Sequence, residues 1–187
     1  RYTSRVKYRV LLVGLSLVIA IVALFVGIRS ASAQTTLTDE QRSLIRTNCI
    51  SIKNTINQLK VSDALLRVNR GQVYESMRSK LMDRFNARLA SKDLDNRGVV
   101  VVTGSYNSAL DDFRTHYVDY ERQLTATIRI DCTQDPDSFH ASILQAREKR
   151  AIVNQDVTRL HQLIDDYRNA AADFRLNFER VSGGGAS

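Results

Sequence analysis

Tryptophan is absent from this 187-residue chain, proline occurs once and glycine eight times. Sandwiches and barrels turn often and draw on Gly and Pro at their corners, so this scarcity argues for helices instead. No Glu-x-x-His occurs, which removes the di-metal carboxylate bundle pattern. No Gly-x-Ser-x-Gly elbow and no phosphate-cradling glycine loop occur either. Gly98 and Gly104 lack the lysine and the preceding strand that such a loop needs. No Asn-x-Ser/Thr sequon is present. These absences leave no motif that reports a reaction. The expectation is a non-enzymatic protein with no catalytic residue, no cofactor and no metal site.

What the chain does contain begins with its leader. Arg1, Arg5, Lys7 and Arg9 precede an uninterrupted apolar segment, Val10 to Ile28, followed by Ala31-Ser32-Ala33. That order is the layout of an export signal or a membrane anchor. The apolar segment of roughly 19 residues spans about 28 Å as a helix, enough to cross a hydrocarbon core. Its length favours a retained anchor, and Ala31 and Ala33 favour cleavage. Either outcome leaves the rest of the chain outside the cytoplasm. The expected organisation is a leader over 1–33, a helical domain over 34–181 and a Gly-rich tail over 182–187.

The net charge of +7 resides mostly in the leader, which holds five of the 27 Lys/Arg and none of the 20 Asp/Glu. Beyond residue 33 the balance is +2, with both signs interspersed. Nucleic-acid binding needs clustered positive charge, so no nucleic-acid partner is expected. The two cysteines, Cys49 and Cys132, read as one disulfide outside the cytoplasm.

Helical periodicity dominates the exported part. Thr38 and Gln41 form a capping-box pair. Ile45, Cys49, Ile52, Ile56 and Leu59 step by four and three. Leu66, Val73 and Met77 extend the stripe, which drifts to Leu81, Phe85 and Leu89, with Asp63 and Arg70 at two of its positions. Gly71 marks the one expected break of this arm. Tyr106, Leu110, Phe113, Tyr117, Tyr120, Leu124 and Thr127 form a second seam. Asp135-Pro136 starts a third helix, whose seam runs from Ile143 to Val181 with only Arg150 interrupting. The sum is an all-α, elongated antiparallel bundle of three to four helices with coiled-coil-like packing.

Val99, Val100, Val101 and Val102 are the one strand-like run, set between Asp95-Asn96-Arg97-Gly98 and Thr103-Gly104. Four consecutive β-branched residues in an extended strand need cover on both faces. The run therefore lies back along the first helix or adds to a partner's strand, and it is the candidate partner contact. Laid back, it shifts the next helix far enough for Cys132 to end near Cys49. A tight hairpin leaves Cys132 nearer residue 64.

The histidines each have acids on the same helix face: His116 with Asp112 and Asp119, His161 with Asp165, His140 with Asp137. A metal is sterically possible there, but an exposed histidine beside an acid explains the spacing. The aromatic stripe Tyr106, Phe113, Tyr117, Tyr120, Tyr167, Phe174 and Phe178 reads as core, with a pocket between helices as the alternative.

The stretches Asp95-Asn96-Arg97-Gly98-Val99-Val100-Val101-Val102-Thr103-Gly104-Ser105-Tyr106 and Arg129-Ile130-Asp131-Cys132, with the leader, resemble helical envelope proteins of Saccharibacteria-type candidate-phylum bacteria. The resemblance implies a bacterial cell-surface setting and carries no activity, ligand or catalytic residue with it. The expected function is an extracytoplasmic structural or interaction module. Its partners are an envelope protein or a second copy, and the membrane through an uncleaved leader. A small-molecule-binding, sensor-like bundle and a chaperone-like coiled coil are the rivals.

Overall fold

Thr38 caps the first helix as its spacing to Gln41 requires. The Gln41 amide donates to Thr38 Oγ1 at 3.2 Å, and the Thr38 amide donates to Gln41 Oε1 at 2.9 Å. The computed structural model describes residues 37–183. The leader positions Arg5, Lys7, Arg9, Ala31 and Ala33 and the tail beyond 183 lie outside the described residues.

Helix α1 (Asp39–Thr47) passes through Asn48 into α2 (Cys49–Ser76). A π-helical turn (Met77–Met82) and α3 (Asp83–Ala90) complete this first arm. Helix α4 (Arg97–Arg129) and helix α5 (Pro136–Gly183) follow. No strand occurs among the described residues. No helix among them is long and apolar enough to cross a membrane. The Asp135 carboxylate accepts the Ser138 amide at 3.0 Å and so caps the α5 start.

Cross-arm contacts fix the topology. Arg42 meets Asp137, Asp63 meets Arg150, Tyr74 meets His161 and Asn86 meets Tyr167. These pairs rise together in number, so the first arm and α5 run parallel. Tyr120 meets Asp63 and Tyr106 meets Tyr74, so α4 runs antiparallel between them. Helix α4 is accordingly the most buried of the three.

The valine run is helical, which corrects the extended reading of Val99 to Val102. Val99 and Thr103 extend the second seam backwards: Val99, Thr103, Tyr106, Leu110, Phe113, Tyr117, Tyr120, Leu124 and Thr127 are all buried. Every step is four or three. Four valines in a helix cost at most about 3 kcal/mol against alanine. Two more turns of main-chain hydrogen bonds and the burial of Val99 offset that cost. Val100 and Val101 point outward. In this helical form the run presents no strand edge to a partner's strand.

The cysteines are joined nonetheless, with Cα atoms 5.6 Å apart. The reach comes from helix rather than strand. Starting α4 at Arg97 adds eight helical residues, about 12 Å, ahead of Ser105. Ile130 then leaves the helix in extended conformation (φ −68°, ψ 135°) and carries Cys132 the remaining distance.

The first arm also departs from its expected stripe. It buries Cys49, Ile56 and Asp63 at heptad spacing, then Tyr74, Met82 and Leu89. The eleven-residue step from Asp63 to Tyr74 is a stutter that moves the stripe one position along. The π-turn takes up one extra residue, so Met82 faces inward where Leu81 was expected. Leu66, Val73 and Leu81 are exposed. Gly71 lies inside α2 without breaking it.

Gly104 lies inside α4, with open space where a Cβ would stand. Gly104→Ala therefore raises the unfolding free energy by about 1 kcal/mol. Urea unfolding of the two chains side by side checks this.

Candidate functional site

Asp63 is the buried carboxylate of the first arm, on a stripe position that the periodicity assigns to an apolar residue. Its Oδ2 accepts the Tyr120 hydroxyl at 2.8 Å and Arg150 Nε at 3.0 Å, while Oδ1 accepts Arg150 Nη2 at 3.1 Å. The fork-to-fork pairing satisfies both oxygens. Arg150, the one interruption of the third seam, thus exists to meet Asp63, the first interruption of the first. Burial, and then the hydrogen bond to Asp63, raise the Tyr120 hydroxyl above its ordinary range. Asp63 holds the Arg150 guanidinium charged. Next to this junction, the Arg67 guanidinium lies 4.9 Å from the Tyr117 ring centroid.

Polar cross-links recur along the bundle. The Thr127 and Ser142 hydroxyls are 2.7 Å apart, and Gln123 Nε2 donates to Ser142 Oγ at 3.0 Å. His116 Nδ1 meets Asp156 Oδ2 at 2.8 Å, instead of Asp112 or Asp119. His161 Nε2 meets the Tyr74 hydroxyl at 3.1 Å, instead of Asp165. The Tyr167 hydroxyl donates to Asn86 Oδ1 at 3.0 Å, and Asn86 Nδ2 donates to Thr103 Oγ1 at 2.8 Å. The Tyr106 hydroxyl donates to the Tyr74 carbonyl at 3.0 Å. Each tie joins different helices, so the His116 and His161 pairs found on one face of one helix give way to partners across the bundle. Among the described residues no three His, Cys, Asp or Glu side chains stand placed for a metal.

The aromatic stripe is core over most of its length. Tyr106, Phe113, Tyr117, Tyr120 and Tyr167 are buried, while Phe178 is exposed. Burial pushes Tyr106 and Tyr167 up to about 12. Unfolded tyrosines release their protons near pH 10. Between pH 10 and 12 the unfolded chain therefore binds fewer protons than the folded one, and stability falls with rising pH. The urea midpoint is expected to drop between pH 9.5 and 11.5, and Tyr106→Phe flattens that drop.

Two grooves flank the junction. One of about 370 Å³ is lined by Ile52, Ile56, Leu59, Leu124 and Ile143, with Arg147 and Arg150 at its edge. The other, about 240 Å³, lies among Asp63, Arg67, Tyr117, Asn154 and Val157. They arise because α2 stands off from α5 and touches it mainly through side chains.

Charge is segregated in a way that the overall balance hides. Over the first arm, Asp39 to Ala90, stand ten Lys/Arg against five Asp/Glu. Helix α4 carries four of each sign and α5 seven of each. The expected interspersion holds for α4 and α5 and fails for the first arm. Counting by helix instead of over the whole exported part exposes the difference. The same arm presents Ile50, Val61, Leu65 and Val68 to solvent. Val100 and Val101, the outward members of the candidate valine contact, lie on α4.

Fold and junction together define a three-arm helical bundle tied by one disulfide and a buried charged centre. Residues 1–41 match the model of the MHYT family, a bacterial signalling protein N-terminal repeat. That match takes in 41 of the 187 residues. No curated protein and no solved structure matches the chain.

Proposed function

We propose that the chain is a non-enzymatic, extracytoplasmic interaction module whose binding face is the outer face of α2. One observation carries this reading. The first arm is clamped to the bundle by the disulfide and the Asp63 junction, yet it holds the excess positive charge and turns aliphatic side chains outward. Polar interiors of helical bundles are expensive, and here they serve to fix register. An outward aliphatic row has no such use in an isolated bundle. The Cys49–Cys132 disulfide fits an oxidising compartment and so supports the setting outside the cytoplasm.

Photo-cross-linking in intact bacteria tests the reading. A photoreactive residue at Val61 is expected to form adducts, and one at Gln155 on the outer side of α5 is expected to form none. Equal yields at the two positions would overturn it.

A second reading, a sensor-like bundle, is favoured by the 370 Å³ apolar groove and by the signalling-repeat match over residues 1–41. The groove volume suits a small amphiphile, with Arg147 at the edge to meet an anionic head. Under this reading a fatty acid raises the melting temperature, and Ile56→Arg abolishes the rise.

A further inference from the structure

The interaction reading leaves the partner open, and the outer face of α2 narrows it. Resting on that reading, we propose that this face docks on an anionic lipid surface. Ile50, Val61, Leu65 and Val68 are 76%, 63%, 63% and 51% exposed. Val61, Leu65 and Val68 step by four and three, and Ile50 stands three full turns before Val61. All four therefore share one side of the helix. That side is opposite Cys49, Ile56 and Asp63, which face the bundle.

A basic row flanks the aliphatic one. Arg46, Lys53 and Lys60 stand at seven-residue steps, two turns apart, while Arg67, the next in the row, turns inward over the Tyr117 ring. Among the described residues, none of these three forms an ion pair with an acid; the arm's ion pairs involve Arg42, Arg78, Glu75, Asp39 and Asp63.

The combination selects the occupant. Nucleic acid would meet the charges but would leave four aliphatic side chains uncovered. An acidic protein partner would also answer the charges, and the acidic-polypeptide arm of the test below reads that outcome. A bilayer interface takes both: aliphatic side chains enter the headgroup and acyl boundary while Lys and Arg stems snorkel to the phosphates.

The absence of native tryptophan supplies a clean probe. The full chain carrying Leu65→Trp is reconstituted in vesicles of phosphatidylcholine alone, or of phosphatidylcholine with phosphatidylglycerol. The leader contains no tryptophan, so it is silent in both. Emission is expected to shift to the blue, and to be quenched by brominated acyl chains, only with the anionic lipid. The shift is lost in high salt. Each basic residue near an anionic surface is worth about fivefold in binding, so Arg46→Gln/Lys60→Gln weakens docking about 25-fold. Circular dichroism of each variant controls for folding. Identical emission in the two vesicle types overturns the proposal, as does a shift elicited by a DNA duplex or an acidic polypeptide but not by vesicles. If vesicles have no effect while Val61 still cross-links a protein in cells, the lipid assignment falls and the interaction reading stands. If both fail, both fall.

Discussion

Replacing both cysteines, Cys49→Ser/Cys132→Ser, lowers the unfolding free energy by about 4.5 kcal/mol. The bond joins positions 83 residues apart, and loop-closure entropy for a loop of that length gives this figure. It is a large share of the 5–15 kcal/mol that holds a typical domain together. The folded side of the ledger points the same way. Of the 28 residues of α2, only Cys49, Ile56, Asp63 and Tyr74 are buried. Before the Asp63 junction the arm is held by the disulfide, by Ile56 and Leu37, by the half-buried Ile45 and Ile52, and by the Arg42–Asp137 ion pair. That pair is exposed to solvent, which screens it, so it contributes little. The loss is expected to be local at first. Amides from Asp39 to about Lys60 exchange faster in the serine variant, while α4 and α5 keep their protection. Urea unfolding of the full chain and its double-serine variant measures the energy. A difference below 1 kcal/mol would show that the native packing alone fixes the arm.

The helical character, the three arms and the cysteine pairing are legible in the sequence because each rests on a long periodic signal or on simple pairing. Seams of three and four persist over α4 and α5, and no local preference competes with them for long. The errors fall where two rules conflict. Val99 to Val102 carries strong local β preference, yet Val99 and Thr103 continue the heptad of Tyr106 and Leu110. Packing over nine seam positions outweighs the preference of four residues. Reading the seam backwards from Tyr106 would have revealed this. Along the first arm, the stutter after Asp63 and the π-turn at Met77–Met82 shift which residues face inward by one. Neither has a local sequence signature, because both are set by where Tyr74 and Met82 find space against α4. The Asp63–Arg150 junction was visible as two breaks in two seams. Nothing in the chain's order said that the breaks would lie opposite each other, since that depends on the offset between arms.

Removing the carboxylate at that junction, Asp63→Ala, costs about 3 kcal/mol. The Asp63 side chain is 10% exposed and that of Arg150 46% exposed, so solvent screens part of the ion pair and its own share is about 1 kcal/mol. The larger share comes from Tyr120, which is 2% exposed. Its hydroxyl loses its acceptor, and a buried unpartnered polar group costs about 1–3 kcal/mol. Tyr120→Phe is expected to cost less, about 1 kcal/mol, because the carboxylate keeps both contacts to Arg150. The pair should therefore show strong coupling in a double-mutant cycle: with phenylalanine at 120, removing Asp63 costs only the ion-pair share. Asp63→Leu/Tyr120→Phe/Arg150→Leu goes further. It leaves no polar group stranded, and buried ionic groups replaced by apolar ones are often neutral or better for stability. The triple variant is expected to recover most of the loss in urea while relaxing the register between the first arm and α5. That relaxation is read as lowered yield of a cross-link engineered between Arg42 and Asp137 positions. Full stability with an unchanged cross-link would show that the junction sets neither stability nor register. A deficit as large as that of Asp63→Ala would show that the ion pair itself, and not the stranded hydroxyl, dominates the energetics.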